Sequence, residues 1–503
     1  MKKTIVIFAL VLTALAGRAA LPEPDLIAQI HFAGAQKISA EKNFSSFTNE
    51  FCSAEALALR SQVADKLAPW LAGWLQAKLG VTVPDGAAKL RPLLDDLQKS
   101  EWFLEARAAA DGKPEVAVAI KLEAGRAQVW QSNLKPFFGS ATFNQSGRWL
   151  IFDSATGNLG SSVAQKISAP PAGWLTVDVN WPRLARWYPK LHELGLPETQ
   201  FTVTAPDANL HVDGKFFFPE NLPLNLADWQ LPTNVIHAPF NSFTAVRGFA
   251  SWLKSQEWAQ VFQITPTPDQ AFIWALSGMP FQTFLAVPVP DSAEALTQAY
   301  ARLQPVFDPA KTAAHFMSPF NLSETNGEVT LAGVPFAAPF LQAVNKPGGQ
   351  FLLAGAFENS PVGRPPPAEL FQRLAAKNLV FYHWEITAER EPMLLNLGQL
   401  GLMLTQHRQL DGESAAFKWV AKITPTLGTT VTEVTKNAPD QMTFTRSAPG
   451  GFTAFELLAL VNWIDAPNFP GWDLKVPPRP QRIRRPNPNA PVARPPPAPA
   501  PAH

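Results

Sequence analysis

Apolar positions along this chain follow two periods in turn. From 54 to 79, Leu59, Val63, Leu67, Trp70, Leu71 and Trp74 recur at three- and four-residue steps, which predicts a helix. Ser53 fits its N-cap, Gly80 its end, and Pro69 is placed to bend it. A second helix is predicted near Leu90 to Lys99. Trp102–Arg107 and Glu115–Leu122 read as strands, the second with Val116, Val118, Ile120 and Leu122 on one face. Arg126–Phe138 is expected to be helical, and Phe143–Phe152 to form a hairpin turning at Ser146-Gly147. A similar order returns later. Ala271–Leu276 and Phe281–Val289 read as strands, and Asp291–Leu303 as a helix with Asp291 as N-cap. Glu328–Leu331 and Gln350–Phe357 are strand-like, with Asn326-Gly327 as a turn signal. Antiparallel sheets packed against helices, an α+β architecture, follow from this pattern.

The returning order suggests an internal duplication. Trp174–Trp181 (WLTVDVNW) precedes a short helix with Leu191, Leu194 and Gly195, as Leu379–Ile386 (LVFYHWEI) precedes one with Leu397, Leu400 and Gly401. Val203–Asp207 (VTAPD) is answered by Val434-Thr435 and Ala438-Pro439-Asp440. Phe243-Thr-Ala245 and Phe452-Thr-Ala454 are each expected to open a helix, with Pro219–Pro239 as an insertion in the first copy. On this reading 20–264 and 265–475 are two related α+β domains.

The ends are of different material. Met1-Lys2-Lys3, an apolar run from Thr4 to Leu15, and small residues at Gly17 and Ala19 have the layout of a signal peptide over 1–19. Export to the periplasm or the extracellular space is the expectation. Residues 476–503 hold eleven prolines, and a chain so short of N–H donors is expected to be an extended, disordered tail. Elsewhere only Met393–Leu404 (MLLNLGQLGLML) invites a membrane reading. Spanning needs ~20 apolar residues, so this run suits a buried helix and the mature chain is expected to have no transmembrane span.

Charge sharpens this division. Of the net +1, residues 1–19 contribute three cations and 476–503 five with no acid, which leaves the body at −7. An acidic body argues against nucleic acid as a partner, since tracking phosphates takes clustered Lys and Arg. The tail cations Arg479, Arg482, Arg484, Arg485 and Arg494 are the candidate contacts for a polyanion, such as an anionic envelope polymer or an acidic protein. Cys52 is the only cysteine, so no internal disulfide is available, and a small buried apolar role is the expectation for it. Phe (35) and Trp (16) are abundant, which fits either well-filled cores or an apolar ligand cavity.

Candidate chemistry is sparse. His31, His192, His211, His237, His315, His383, His407 and His503 are scattered without metal-ligand spacing, and no HExxH occurs. Neither a nucleophile elbow nor a P-loop nor a dinucleotide fingerprint is present. Asp95-Asp96 is a carboxylate pair on a helix, where neighbours in sequence do not face each other, and reads as solvated. Asp207 and Asp440 fit turns between strands. No catalytic residue, metal or cofactor is expected.

With Glu115–Leu122, Phe281–Leu303 and the duplicated pattern, the body resembles functionally uncharacterised exported proteins of the planctomycete and verrucomicrobial kind. The resemblance implies strand-strand-helix modules in tandem after a signal peptide, and it transfers no functional residue. An exported, non-enzymatic binding or scaffold protein of the cell envelope is the leading expectation. A carrier of a lipid or other apolar ligand is the alternative, and it predicts an elongated cavity between sheet and helices. A secreted hydrolase is third, and needs a cleft where His, Asp or Glu, and Ser converge.

Overall fold

A computed structural model describes residues 25–471, apart from 110–113, 155–158, 193, 225, 238, 256–263, 278–281, 309–319, 335–336, 347–348, 358–367 and 407–410. Residues 1–19, expected to be a signal peptide, and the arginines of 476–503 lie outside the described residues. The first half contributes β1 (Leu26–Phe32), β2 (Trp102–Ala108), β3 (Pro114–Lys121), β4 (Thr142–Ser146), β5 (Trp149–Asp153), β6 (Leu175–Val179), β7 (Glu198–Thr204) and β8 (Leu210–Phe217). The second contributes β9 (Phe240–Arg247), β10 (Gln270–Leu276), β11 (Thr283–Pro288), β12 (Asn321–Thr325), β13 (Glu328–Ala332), β14 (Phe340–Lys346), β15 (Gly349–Gly355), β16 (Leu379–Ile386), β17 (Thr429–Ala438) and β18 (Gln441–Ala448).

Every pairing is antiparallel, and the pairings join all of these strands into one ladder. Its order is β4-β5-β3-β2-β1-β6-β7-β8 and then β18-β17-β16-β9-β10-β11-β15-β14-β13-β12. The α+β class therefore stands, but the expected separate sheets are one sheet. The join is β8 against β18, from Phe217↔Gln441 to Leu210↔Ala448. On either side of the join the neighbours recur. β9 lies between β10 and β16 as β1 lies between β2 and β6, and β15 lies between β11 and β14 as β5 lies between β3 and β4. The second half adds the β12–β13 hairpin, whose Asn326-Gly327 turn has positive φ at both residues (53° and 78°), as a two-residue hairpin turn requires.

Phe243-Thr-Ala245 does not open a helix. It lies in β9, between β10 and β16, with Phe243 and Ala245 fully buried. A central strand is covered on both faces, so its sequence (FNSFTAVR) lacks the clean alternation that marks a half-exposed one. A division after residue 264 would part β9 from both of its partners, so by pairing the halves meet within 218–239.

Helices lie on both faces of the sheet. They are α1 (Ala54–Leu79), α2 (Gly86–Lys99), α3 (Arg126–Leu134), α4 (Leu159–Lys166), α5 (Ala250–Ser255), α6 (Ser292–Leu303), α7 (Ala368–Gln372), α8 (Thr387–Gln406), α9 (Ala415–Ile423) and α10 (Ala454–Asp465). The caps read from sequence are in place. Ser53 accepts from the Ala56 N–H, Gly80 ends α1 in the left-handed conformation, and Asp291 accepts from the N–H groups of Ala293 and Glu294. Helix α1 serves two cores, and Pro69 lies where it passes from one to the other. Ala56, Leu59, Val63 and Leu67 pack among α9 and α10, whereas Leu71, Ala72, Trp74 and Leu75 pack with α2 and α3 over β3 and β5.

Three expectations need correction in detail. The first hairpin turns at Gly147-Arg148, one residue later than expected, because Ser146 pairs with Trp149. None of the described positions from Met393 to Met403 in α8 is buried, although the run was expected to be a buried helix. That helix is covered on one side only, where Gly398 faces Leu458 so closely that a Cβ would lie 2.8 Å from it. Cys52, at the end of a short helix before α1, is exposed instead of buried. Among the described residues, no helix is long and apolar enough to cross a membrane.

Candidate functional site

The two halves differ most in how they connect their first two strands. Residues 33–101 join β1 to β2 and carry α1 and α2, whereas only 248–269 join β9 to β10, with α5 among their described residues. In the first half the connection fills a sheet face. Leu71, Trp74 and Leu75 of α1 and Leu90, Leu93 and Leu97 of α2 cover Trp102, Val118, Ile120, Phe143, Leu150 and Phe152, closed at the side by Trp130 and Leu134 of α3.

Hydrogen-bond register identifies the same face in the second half. The pairs Ile120↔Leu150 and Val118↔Phe152 correspond to Val287↔Leu352 and Leu285↔Ala354, because the Leu122 N–H meets the Arg148 carbonyl as that of Val289 meets Gln350. Phe143↔Phe152 likewise corresponds to Leu341↔Ala354. One residue beyond the Phe272↔Ala286 pair, Ala271 takes the place of Trp102. Counted back from the last residue of each helix, Ala299 and Leu303 of α6 match Trp130 and Leu134 of α3. At three matched positions a tryptophan or phenylalanine of the first half is therefore an alanine in the second: Trp102/Ala271, Trp130/Ala299 and Phe152/Ala354.

A shorter connection and smaller side chains accompany a cavity of about 620 Å³ between this face, α5 and α6. Ala271, Leu285, Val287, Ala299, Leu303, Leu341, Leu352 and Ala354 line it, together with Phe249, Leu253, Ile264, Phe307, Leu322, Val329, Leu331 and Phe340. Among the described residues, Thr267 and Lys254 carry the only polar side chains in the lining. Leu285 keeps 37% of its surface exposed, so the cavity opens to solvent. Its volume falls within the ~300–1,000 Å³ typical of small-molecule sites. Water filling it, on the order of 20 molecules at about 30 Å³ each, would find almost no hydrogen-bonding partner in the walls. What the site can do chemically is shelter apolar surface.

A smaller cavity of about 280 Å³ lies beside Trp229, Phe371 and Arg247. Arg247 is 2% exposed, and its donors are already engaged by the backbone carbonyls of Ala227 (2.5 Å), Lys377 (2.7 Å), Leu379 (2.8 Å) and Ala376 (3.2 Å). Its guanidinium also stacks over Trp229 at 4.5 Å. This arginine holds the segment linking the halves to the sheet, and four of its five N–H donors are engaged in doing so.

The residues weighed for catalysis stand apart. His31 is buried beside Glu101 (3.3 Å), and desolvation pushes its pKa down. His211 contacts Asp207 at 3.1 Å, in the turn where Asp207 accepts from the Asn209 N–H, as expected of a turn aspartate. His383 bridges Thr244 (2.8 Å) and Glu385 (3.2 Å), and Glu385 is sealed beneath α10, whose Ala454 N–H it accepts at 2.7 Å. His315, His407 and His503 lie outside the described residues. Among the described residues no group of three or more His, Cys, Asp or Glu is placed to hold a metal ion. Asp95 pairs with Arg91, but Asp96 is not the solvated residue expected. It accepts from Arg126 (2.6 Å) and from the Trp130 indole (2.8 Å), and so ties α2 to α3.

Nothing in the list of candidate residues pointed to the cavity. Its sequence signals were the unequal lengths of the two connections and the alanines at 271, 299 and 354, and both need the register to be seen. No protein-family model matches this chain, and neither a curated protein nor a solved structure does.

Proposed function

We propose that this chain is an exported, non-enzymatic binding protein that carries an apolar ligand in the cavity of its second half. The observation that supports this reading most is the contrast at matched positions: two helices fill the sheet face in the first half, and among the described residues of the second alanines stand there beside a cavity. Burial of an apolar chain there would stabilise the complex by about 0.8 kcal/mol per methylene, before the costs of immobilisation. The recurrence of strand neighbours on both sides of the β8–β18 join supports an internal duplication in which one copy kept its helical filling and the other became a container. The scaffold reading keeps one specific support, the basic tail, with Arg479, Arg482, Arg484, Arg485 and Arg494 as contacts for an anionic envelope polymer.

The test is mass spectrometry of organic extracts from the purified native protein, run beside Ala354→Phe. That substitution installs the side chain found at the matched position of the first half. A lipid or other apolar molecule recovered from the wild type and depleted by Ala354→Phe is expected. Extracts that contain none, together with no binding of an environment-sensitive apolar dye, would leave the scaffold reading in its place.

A further inference from the structure

We infer that the ligand is a single-chain amphiphile with an anionic head, its chain in the cavity and its head at Lys254. This inference rests on the carrier reading and adds the chemistry of the ligand's end. Among the described residues of the lining Lys254 is the one charged residue, the rest being apolar except for Thr267, and it is exposed, whereas Ala271, Ala299 and Leu352 are buried. A lysine placed this way lays its methylenes along apolar wall and keeps its ammonium in water. No carboxylate among the described residues pairs with it, so its charge is available at the mouth. The body around it is acidic overall (−7 over 20–475), and a cation at an apolar opening then marks where a negative head can come to rest. Heads of two kinds share this chemistry, a carboxylate and a phosphate ester. A lysine, being a compact point charge and not a planar fork, accepts either.

Dodecanoate, dodecyl phosphate and dodecanol, each below its self-association limit, separate the possibilities when titrated into the full-length protein by calorimetry. Wild type is expected to bind one or both anions roughly five-fold more tightly than the alcohol, the size of a partly screened ion pair, and the gap should narrow as salt is raised. Lys254→Gln should abolish the gap between the anions and the alcohol, and Lys254→Arg should restore it. The stronger of the two anions identifies the head. Equal binding of all three ligands to wild type, or a gap that survives Lys254→Gln, overturns the head-group assignment while the cavity stands. Failure of all three to bind, or binding indifferent to Ala354→Phe, overturns the carrier reading itself. Lys254 is exposed and makes no packing contact in a core cluster, so a folding defect is not expected from either substitution.

Discussion

At the scale of single residues, the polar groups beneath the sheet are held at a cost that pH can reveal. Asp178, on β6, accepts from the Gln200 amide at 2.9 Å. Burial, with the negative charge of Glu198 adding to it, raises its pKa from 3.8 to about 6. Between those two values the folded state holds a proton that the unfolded chain has released, so stability falls as pH rises through this window. Above it the whole cost is present, and below it none. Asp178→Asn, which keeps an acceptor for Gln200, is expected to stabilise the protein at pH 8 by on the order of 1–3 kcal/mol. The gain should vanish near pH 4. Urea unfolding at the two pH values checks this, and an equal effect at both would show that the cost is not electrostatic.

At the scale of elements, what could be read from the sequence was whatever local chemistry decides. The bounds of α1 followed from Ser53 and Gly80, and the start of α6 from Asp291, because caps act through neighbouring backbone groups. Strand β3 was visible because its alternation is local, and the β7–β8 and β17–β18 turns because both carry Ala-Pro-Asp. Strand β9 was hidden for the opposite reason. Its identity is set by two partners and two covered faces, and its arginine reads as a surface residue until the carbonyls around it are known. Arg247 shows how much such a residue carries. Four backbone carbonyls from 227 and 376–379 converge on this buried guanidinium, and removal of its donors breaks the charge-assisted bonds that tie both segments to the sheet. Arg247→Lys keeps the charge but lacks the planar fork that reaches all four. A loss on the order of 3 kcal/mol is expected, read as a lowered urea midpoint with an unchanged slope. A loss under ~0.5 kcal/mol, the level of an ordinary surface substitution, would mean that the link between the halves is held by something else. The cavity was hidden more deeply still. An alanine on a strand says nothing alone, and Ala271, Ala299 and Ala354 acquire meaning only beside Trp102, Trp130 and Phe152.

At the scale of the whole molecule, the recurring halves invite the expectation that each folds alone, but the contacts argue against it. The β8–β18 ladder joins them through eight residues on each strand. Strands left as open edges would present unpaired N–H and C=O groups to other chains. Helix α1 belongs to the first half by sequence, yet Ala56 is buried in a core otherwise built by α9, α10 and Phe469, with Leu59, Val63 and Leu67 packed against it. Polar contacts follow the same path. The Trp419 indole donates to the Glu50 carbonyl (2.9 Å), Lys66 to that of Ile464 (2.5 Å), and the Gln62 amide to Asp465 (3.1 Å). A first half made alone would expose one side of α1 and the edge of β8, and a second half alone would lose the helix that closes its own helical core. Each fragment would thus give up apolar burial worth ~25 cal/mol per Å², and a domain holds a net stability of only ~5–15 kcal/mol. The full chain is therefore expected to unfold in one calorimetric transition. Fragments divided within 218–239 should be aggregation-prone when expressed singly and should recover native-like near-ultraviolet dichroism only when co-expressed. Two resolved transitions, or either fragment giving a soluble monomer with a cooperative melt, would show that the shared helix and strand join are dispensable. The apolar container would then be a separable module, and Ala354→Phe could be tested in it alone.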